Sequence, residues 1–181
     1  MIYLDMDGVI ADFFGGIEKQ FNVNHWKSLQ WKEEVFVKLR YTDFFNTLDT
    51  FKDWEIKPDT PIDKSRDIVY NVQKYAKEAG IGWGICSSPM RGDHNNSMYW
   101  KRVWLERMGF MPLVENCIFT SNKHKYAMSE IDSRRNILID DKPSNIDRWE
   151  KAGGIGIRFQ CNEDDLKEYL FPAIEEAIAR R

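Results

Sequence analysis

The chain begins MIYLDMDGVIADFFGG, Met1 to Gly16. Ile2 to Leu4 form an apolar run of strand length, and the two carboxylates Asp5 and Asp7 follow it at once, then a glycine and a second apolar run. A charge at the end of a buried strand is costly unless something neutralises it. What else in the chain reaches the end of that strand therefore decides the fold and the chemistry together.

Four further runs share the character of the first: IGWGICS from Ile81, NCIFT from Asn116, NILID from Asn136 and GIGIRF from Gly154. Near-continuous apolar strands of this kind are buried on both faces. Helical patterns lie between them. IDKSRDIVYNVQKYAKEAG carries a 3.6-residue stripe through Ile68, Val69, Val72, Tyr75, Ala76 and Ala79 and stops at Gly80. NNSMYWKRVWLERMGF repeats it with Trp100, Val103, Trp104 and Met108 before Gly109, and SNIDRWEKAGG runs from Ser144 as N-cap to Gly153. NEDDLKEYLFPAIEEAIARR closes the chain, with a break expected at Pro172. Alternating strands and helices predict an α/β, Rossmann-like, mostly parallel sheet with helices on both faces, and such sheets bind ligands at the carboxyl ends of their strands.

The 181 residues suffice for one core with an appendage. No window approaches the roughly 18 apolar residues of a membrane helix, and Asp5 and Asp7 interrupt any export signal, so the expected location is cytoplasmic with no membrane partner. A net charge of -3 makes a polynucleotide partner unlikely. Cys86, Cys117 and Cys161 have neither the number nor the spacing of a disulfide framework or zinc site. The oligomeric state stays open, a homodimer included.

Residues 13 to 54 break the strand–helix rhythm. They read as helical without a convincing strand and hold 11 of the chain's 25 aromatic residues, a density that calls for a small core of its own. The division expected is a core domain of residues 1–12 and 60–181 with a small helical cap at 13–59. Most of its rings should pack; the rest are free to line a pocket.

Under the sheet rule, Asp5 and Asp7, Ser87 and Ser88, Lys123 and Lys125, and Asp140 and Asp141 all fall on one edge, each after a strand. Four acids brought together repel unless protons or a cation neutralise them, and a hard divalent ion, Mg2+ above all, suits oxygen ligands. Acids, a cation, lysine and small hydroxyls are the equipment for phosphate, and an aspartate can attack phosphorus to form an acyl phosphate. Each motif alone is weak, since DxD and IDDK are common as surface turns. His25, His94 and His124 share no spacing and read as surface or loop residues. Cys86 sits within an apolar strand and reads as inert. Arg91, Arg102 and Arg107 read as solvated, while Lys101 stands out.

The motifs DMDGVIAD, GICSSP and ILIDDKPSN resemble, in that order, the first, second and fourth motifs of the haloacid dehalogenase-like (HAD) phosphatases. A narrower resemblance is to the 5'(3')-deoxyribonucleotidases, through ADFFGG, Cys86-Ser87-Ser88-Pro89, FFNTL from Phe44, KRVWLER from Lys101, FTSNK from Phe119 and IDDKP from Ile139.

The resemblance implies Asp5 as nucleophile and Asp7 as general acid and base, with Mg2+ on Asp5, Asp140 and Asp141 and on the Asp7 main-chain carbonyl. It implies phosphate binding by Ser87 and Ser88, a lysine at Lys123 with Lys125 as the alternative, and base stacking by Phe13. Lys101 falls where related enzymes also carry a lysine, which suggests substrate binding. Trp26, Trp31 and Phe36 are candidate cap contacts, although NHWKSLQWKEEVFVKL aligns poorly with the family's cap. The expected function is a magnesium-dependent phosphomonoesterase acting on nucleoside monophosphates, deoxyribonucleotides first. The alternatives are a related phosphatase acting on nucleic-acid ends or sugar phosphates, and a catalytically silent nucleotide-binding protein.

Overall fold

The computed structural model describes residues 1–29, 33–53 and 61–181. Five parallel strands form the sheet: β1 (Ile2–Leu4), β4 (Trp83–Ser87), β5 (Cys117–Phe119), β6 (Ile137–Asp140) and β7 (Ile155–Arg158), in the spatial order β5-β4-β1-β6-β7. The chain moves outward from β1 to β5, then returns to the other side of β1. That reversal between β1 and β6 is the topological switch point, where an open α/β sheet leaves a crevice. All five strands lie where the apolar runs predict them.

Register carries the acids to the crevice. Leu4 pairs with Ile85 on one side and with Ile139 on the other, and the Asp5 amide donates to the Ile139 carbonyl at 2.9 Å. Asp5 and Asp140 therefore leave the sheet side by side.

Alternation along the strands divides the core between two faces. Ile2, Leu4, Ile85, Ile137 and Ile139 pack on one side with Ile68 of α4 (Lys64–Glu78), Trp104 of α5 (His94–Met108) and Ile174 of α7 (Phe171–Ala179). Tyr3, Cys86 and Leu138 pack on the other with Ile146 and Trp149 of α6 (Pro143–Lys151). The α4 stripe is buried at Ile68, Val69, Val72 and Ala76, with Asp63 as its N-cap. Ala79 is exposed past the last turn.

Three local expectations change. The N-cap of α6 is Lys142, with Pro143 at the first helical position, so Ser144 lies inside the helix. Proline's fixed φ and missing amide suit that place better than a serine cap one residue later. At Pro172 the chain does not stop. A π-helical turn, Leu166–Leu170, runs directly into α7, because a proline in a helix's first turn removes no bond that the helix needs. A two-residue strand β2 (Lys52–Asp53) pairs antiparallel with β3 (Ile62–Asp63) at the end of the insertion, too short to show as a periodic run.

The insertion also contains α1 (Phe13–Phe21), α2 (Glu33–Leu39) and α3 (Phe44–Thr47). Its buried residues Ile17, Leu39, Phe44, Phe45 and Leu48 join the core beside β1 rather than forming a separate one among the described residues. The Trp104 indole donates to the Leu48 carbonyl at 2.8 Å, which ties α5 to the chain after α3. Trp31 and Trp54, and the expected boundary at 59/60, lie outside the described residues.

Candidate active site

A cavity of about 530 Å³ opens at the carboxyl ends of β1, β4 and β6. Asp5, Asp7, Asp141 and Asn145 line its polar side, Ser88, Pro89, Met90 and Arg91 come from the loop after β4, and Phe13, Phe14, Phe36 and Arg40 come from the insertion.

Asp5 is buried. Its Oδ1 accepts from the Met6 amide at 2.8 Å, and its Oδ2 meets Lys123 Nζ at 2.9 Å. Burial pushes this carboxyl up, but the charges of Lys123 and Lys101 and the Ser87 hydroxyl outweigh it and hold Asp5 below the ordinary range. Asp140 is fully buried between Lys123 Nζ at 2.5 Å, the Lys142 amide at 2.9 Å and both contacts of the Asn145 amide, at 3.1 and 3.0 Å. Its carboxyl is raised, first by burial and then by the charge of Asp5. Asp141 has no such partners among the described residues. Burial, then Asp5, Asp140 and Asp7, push it up to about 8.

The two lysines of the third cluster separate. Lys123, in a 3₁₀ turn after β5, is buried and joins Asp5 to Asp140, whereas Lys125 is exposed. Asp5 and Asp140 raise the Lys123 ammonium further than burial lowers it, so it stays charged.

Ligand oxygens of Asp5, Asp140 and Asp141 lie within 4.8 Å of one another. Three carboxylate donors, two of them displaced upward first by burial and then by the charge of their acidic neighbours, fit a hard divalent cation. The carboxylate of Asp7 is not part of this group; only its main chain is left for the metal contact that the sequence suggests.

Asp7 Oδ2 instead accepts from Lys101 Nζ at 2.7 Å, and its Oδ1 is buried with no hydrogen-bond partner among the described residues. Burial and the Asp5 charge raise this carboxyl although Lys101 opposes them. Lys101, expected on substrate, has 0 % exposure, and its ammonium also donates to Ser87 Oγ at 3.0 Å and to the Ser88 carbonyl at 2.9 Å, above the Phe45 ring. It is a buried strut between α5 and the loop after β4, because its stem comes from the core side of that helix. Ser87 is likewise fully buried, and the Ser88 hydroxyl donates to the Thr120 carbonyl at 3.3 Å.

Gly8 (φ +78°) makes the turn that brings these groups together, and a Cβ there would lie 2.7 Å from Asp141 Oδ2. Phe13 lines the cavity, stacked at 22° on Phe45. Phe14 stacks on Trp26 at 4.6 Å between ring centroids. Cys86, buried beside the site, has its thiol pushed up to about 12 by burial, as expected of an inert residue.

Asn145 and Arg40 were missed from sequence. Asn145 had a signal, since it sits in the first turn of the helix after Asp140. Arg40 had none, because only the folded insertion brings it to the cavity. Arg91, read as solvated, is exposed and lines the same cavity.

No protein-family model matches this chain, and no curated protein matches its sequence. No helix among the described residues is long and apolar enough to cross a membrane.

Proposed function

We propose that this protein is a magnesium-dependent phosphomonoesterase of the HAD-like type, resembling the deoxyribonucleotidases, that removes phosphate from nucleoside monophosphates through an aspartyl phosphate on Asp5. The observation that carries the reading is the meeting of Asp5, Asp140, Asp141 and Lys123 at the base of a cavity whose other wall is aromatic. A dianionic ester needs cationic charge at one end, and a nucleobase needs flat apolar surface at the other.

In this reading Asp5, held ionised by Lys123, attacks phosphorus and the P–O bond to the nucleoside breaks. Asp7 gives its proton to the departing oxygen. Its upward displacement suits it to hold that proton, and its residue lines the cavity in which the departing oxygen would lie. Asp7 then takes a proton from a water molecule whose oxygen attacks the phosphoryl group, which frees Asp5 and inorganic phosphate. Asp5, Asp140 and Asp141, with the Asp7 carbonyl, would hold a magnesium ion, which would supply positive charge to neutralise the phosphoryl oxygens. Ser88 and Lys123 bind those oxygens. Ser87 and Lys101 hold the loop and Asp7 in place, and Phe13 offers its ring to the base.

The test is phosphate release from a panel of ribo- and deoxyribonucleoside monophosphates with magnesium, with Asp5→Asn as control. Release abolished in the control is expected; a folded, metal-loaded protein that frees no phosphate from any of them refutes the reading.

A further inference from the structure

Two arginines on the cavity wall, Arg40 and Arg91, have no role in the chemistry above. Arg40 lies just past α2 in the insertion, and Arg91 lies in the loop after β4. Two separate segments thus bring guanidinium groups to one region. The Arg40 guanidinium packs across the backbone of Gly92, where a Cβ would come within 2.7 Å of its Cζ, and Gly92 has φ +80°. Only glycine fits both conditions.

The segment carrying Arg40 is fastened to the start of α5. Asp93, buried, accepts the Tyr41 amide at 2.9 Å and the Asn96 side-chain amide at 2.9 Å, while Asn96 also donates to the Thr42 carbonyl at 2.9 Å. Tyr41 is left-handed at φ +60°, a conformation unfavourable for a bulky side chain and sustained here by that latch. Arg91 makes no ion pair among the described residues, whereas the Lys101 ammonium is engaged with Asp7.

We propose that Arg40, fixed over Gly92 by the Asp93–Asn96 latch, and Arg91 form a second anion subsite in the cavity, which takes a further phosphate of the nucleotide. The favoured substrate class is then a nucleotide phosphorylated at one end and carrying a phosphoryl group at the other, as a 3',5'-bisphosphate or a 5'-phosphorylated dinucleotide. Guanidinium forks match phosphate oxygens in pairs, which ammonium groups do not. This inference rests on the phosphomonoesterase reading.

Binding separates the two. Asp5→Asn protein with magnesium, checked for native circular dichroism, is titrated by calorimetry with deoxythymidine 5'-monophosphate, its 3',5'-bisphosphate and a 5'-phosphorylated dinucleotide. The bisphosphate should bind at least tenfold tighter than the monophosphate, with an advantage that shrinks as salt rises. Adding Arg40→Gln or Arg91→Gln should reduce that ratio several-fold, and adding both should bring it near one, while Arg40→Lys keeps part of it. If Arg40→Gln does not fold, Arg91→Gln, at an exposed position, decides. The dinucleotide distinguishes the source: a shared advantage means that a phosphodiester suffices, and an advantage confined to the bisphosphate means a terminal monoester. Equal affinities overturn the subsite. So do substitutions that weaken monophosphate and bisphosphate alike, since the guanidiniums would then serve the scissile phosphate. Phosphate release by the unsubstituted enzyme reports on the parent reading. Release without a bisphosphate advantage refutes the subsite alone, and an arginine-dependent advantage without any release refutes the hydrolysis alone.

Discussion

Magnesium binding should be governed by a proton on Asp141. That carboxyl is pushed up to about 8, first by burial and then by Asp5, Asp140 and Asp7. Without metal, roughly nine-tenths of the molecules carry its proton at pH 7, and a cation must displace it. Apparent affinity should therefore be about 100-fold below its limit at pH 6, about tenfold below at pH 7 and about twofold below at pH 8, then level off. About one proton should be released per ion bound at pH 7. The stability of the metal-free protein moves the other way. A carboxyl whose folded pKa lies above its unfolded value contributes a stability that is present below the unfolded value, near 4, and is lost as pH rises to about 8. Magnesium should thus raise the melting temperature most at pH 8 and least at pH 6. Calorimetric titration in two buffers of different ionisation enthalpy reads the released proton, and a pH series reads the slope. Asp141→Asn should bind magnesium more weakly and with a shallower slope. An affinity flat between pH 6 and 8, with no proton released at pH 7, would show the reasoning about this cluster to be wrong.

Three further outcomes are expected. Gly8→Ala combines a positive φ with a Cβ 2.7 Å from Asp141 Oδ2, so it should lower stability by about 1–2 kcal/mol and also weaken magnesium binding; a urea midpoint and a metal titration measure the two effects. Lys101→Met removes the buried partner of Asp7 and should cost about 3–5 kcal/mol in urea unfolding; an unchanged midpoint would count against its role as a strut. Lys123→Met should reduce phosphate release by roughly 10²–10³-fold, the scale of one lost electrostatic donor, whereas Lys125→Met, at an exposed position, should leave the rate near that of the parent.

The strands were legible because a sheet buried on both faces demands unbroken apolar runs, and the runs of β1, β4 and β6 end in polar residues that line the crevice. The helix limits at Gly80 and Gly109 were legible because both glycines take positive φ, at +64° and +72°. The insertion was not. Its rings read as a density rather than a pattern, because they pack against a core made by other parts of the chain. Side-chain direction was hidden too. Lys101 could be placed near the site, but not turned away from substrate and onto Asp7, and only the resemblance of FTSNK favoured Lys123 over Lys125, which the tertiary turn separates by burying Lys123 alone.

What the amino-acid sequence determined by itself is the order of strands and helices and the set of acids at their ends, since local periodicity and strand length are short-range properties. What only the tertiary structure decided is which groups meet: the switch point that sets Asp5 beside Asp140, the lysine that joins them, and the arrival of Arg40 from the insertion at Gly92. Those contacts join residues far apart in the chain, and their geometry exists only once the sheet register and the packing of the insertion have been fixed together.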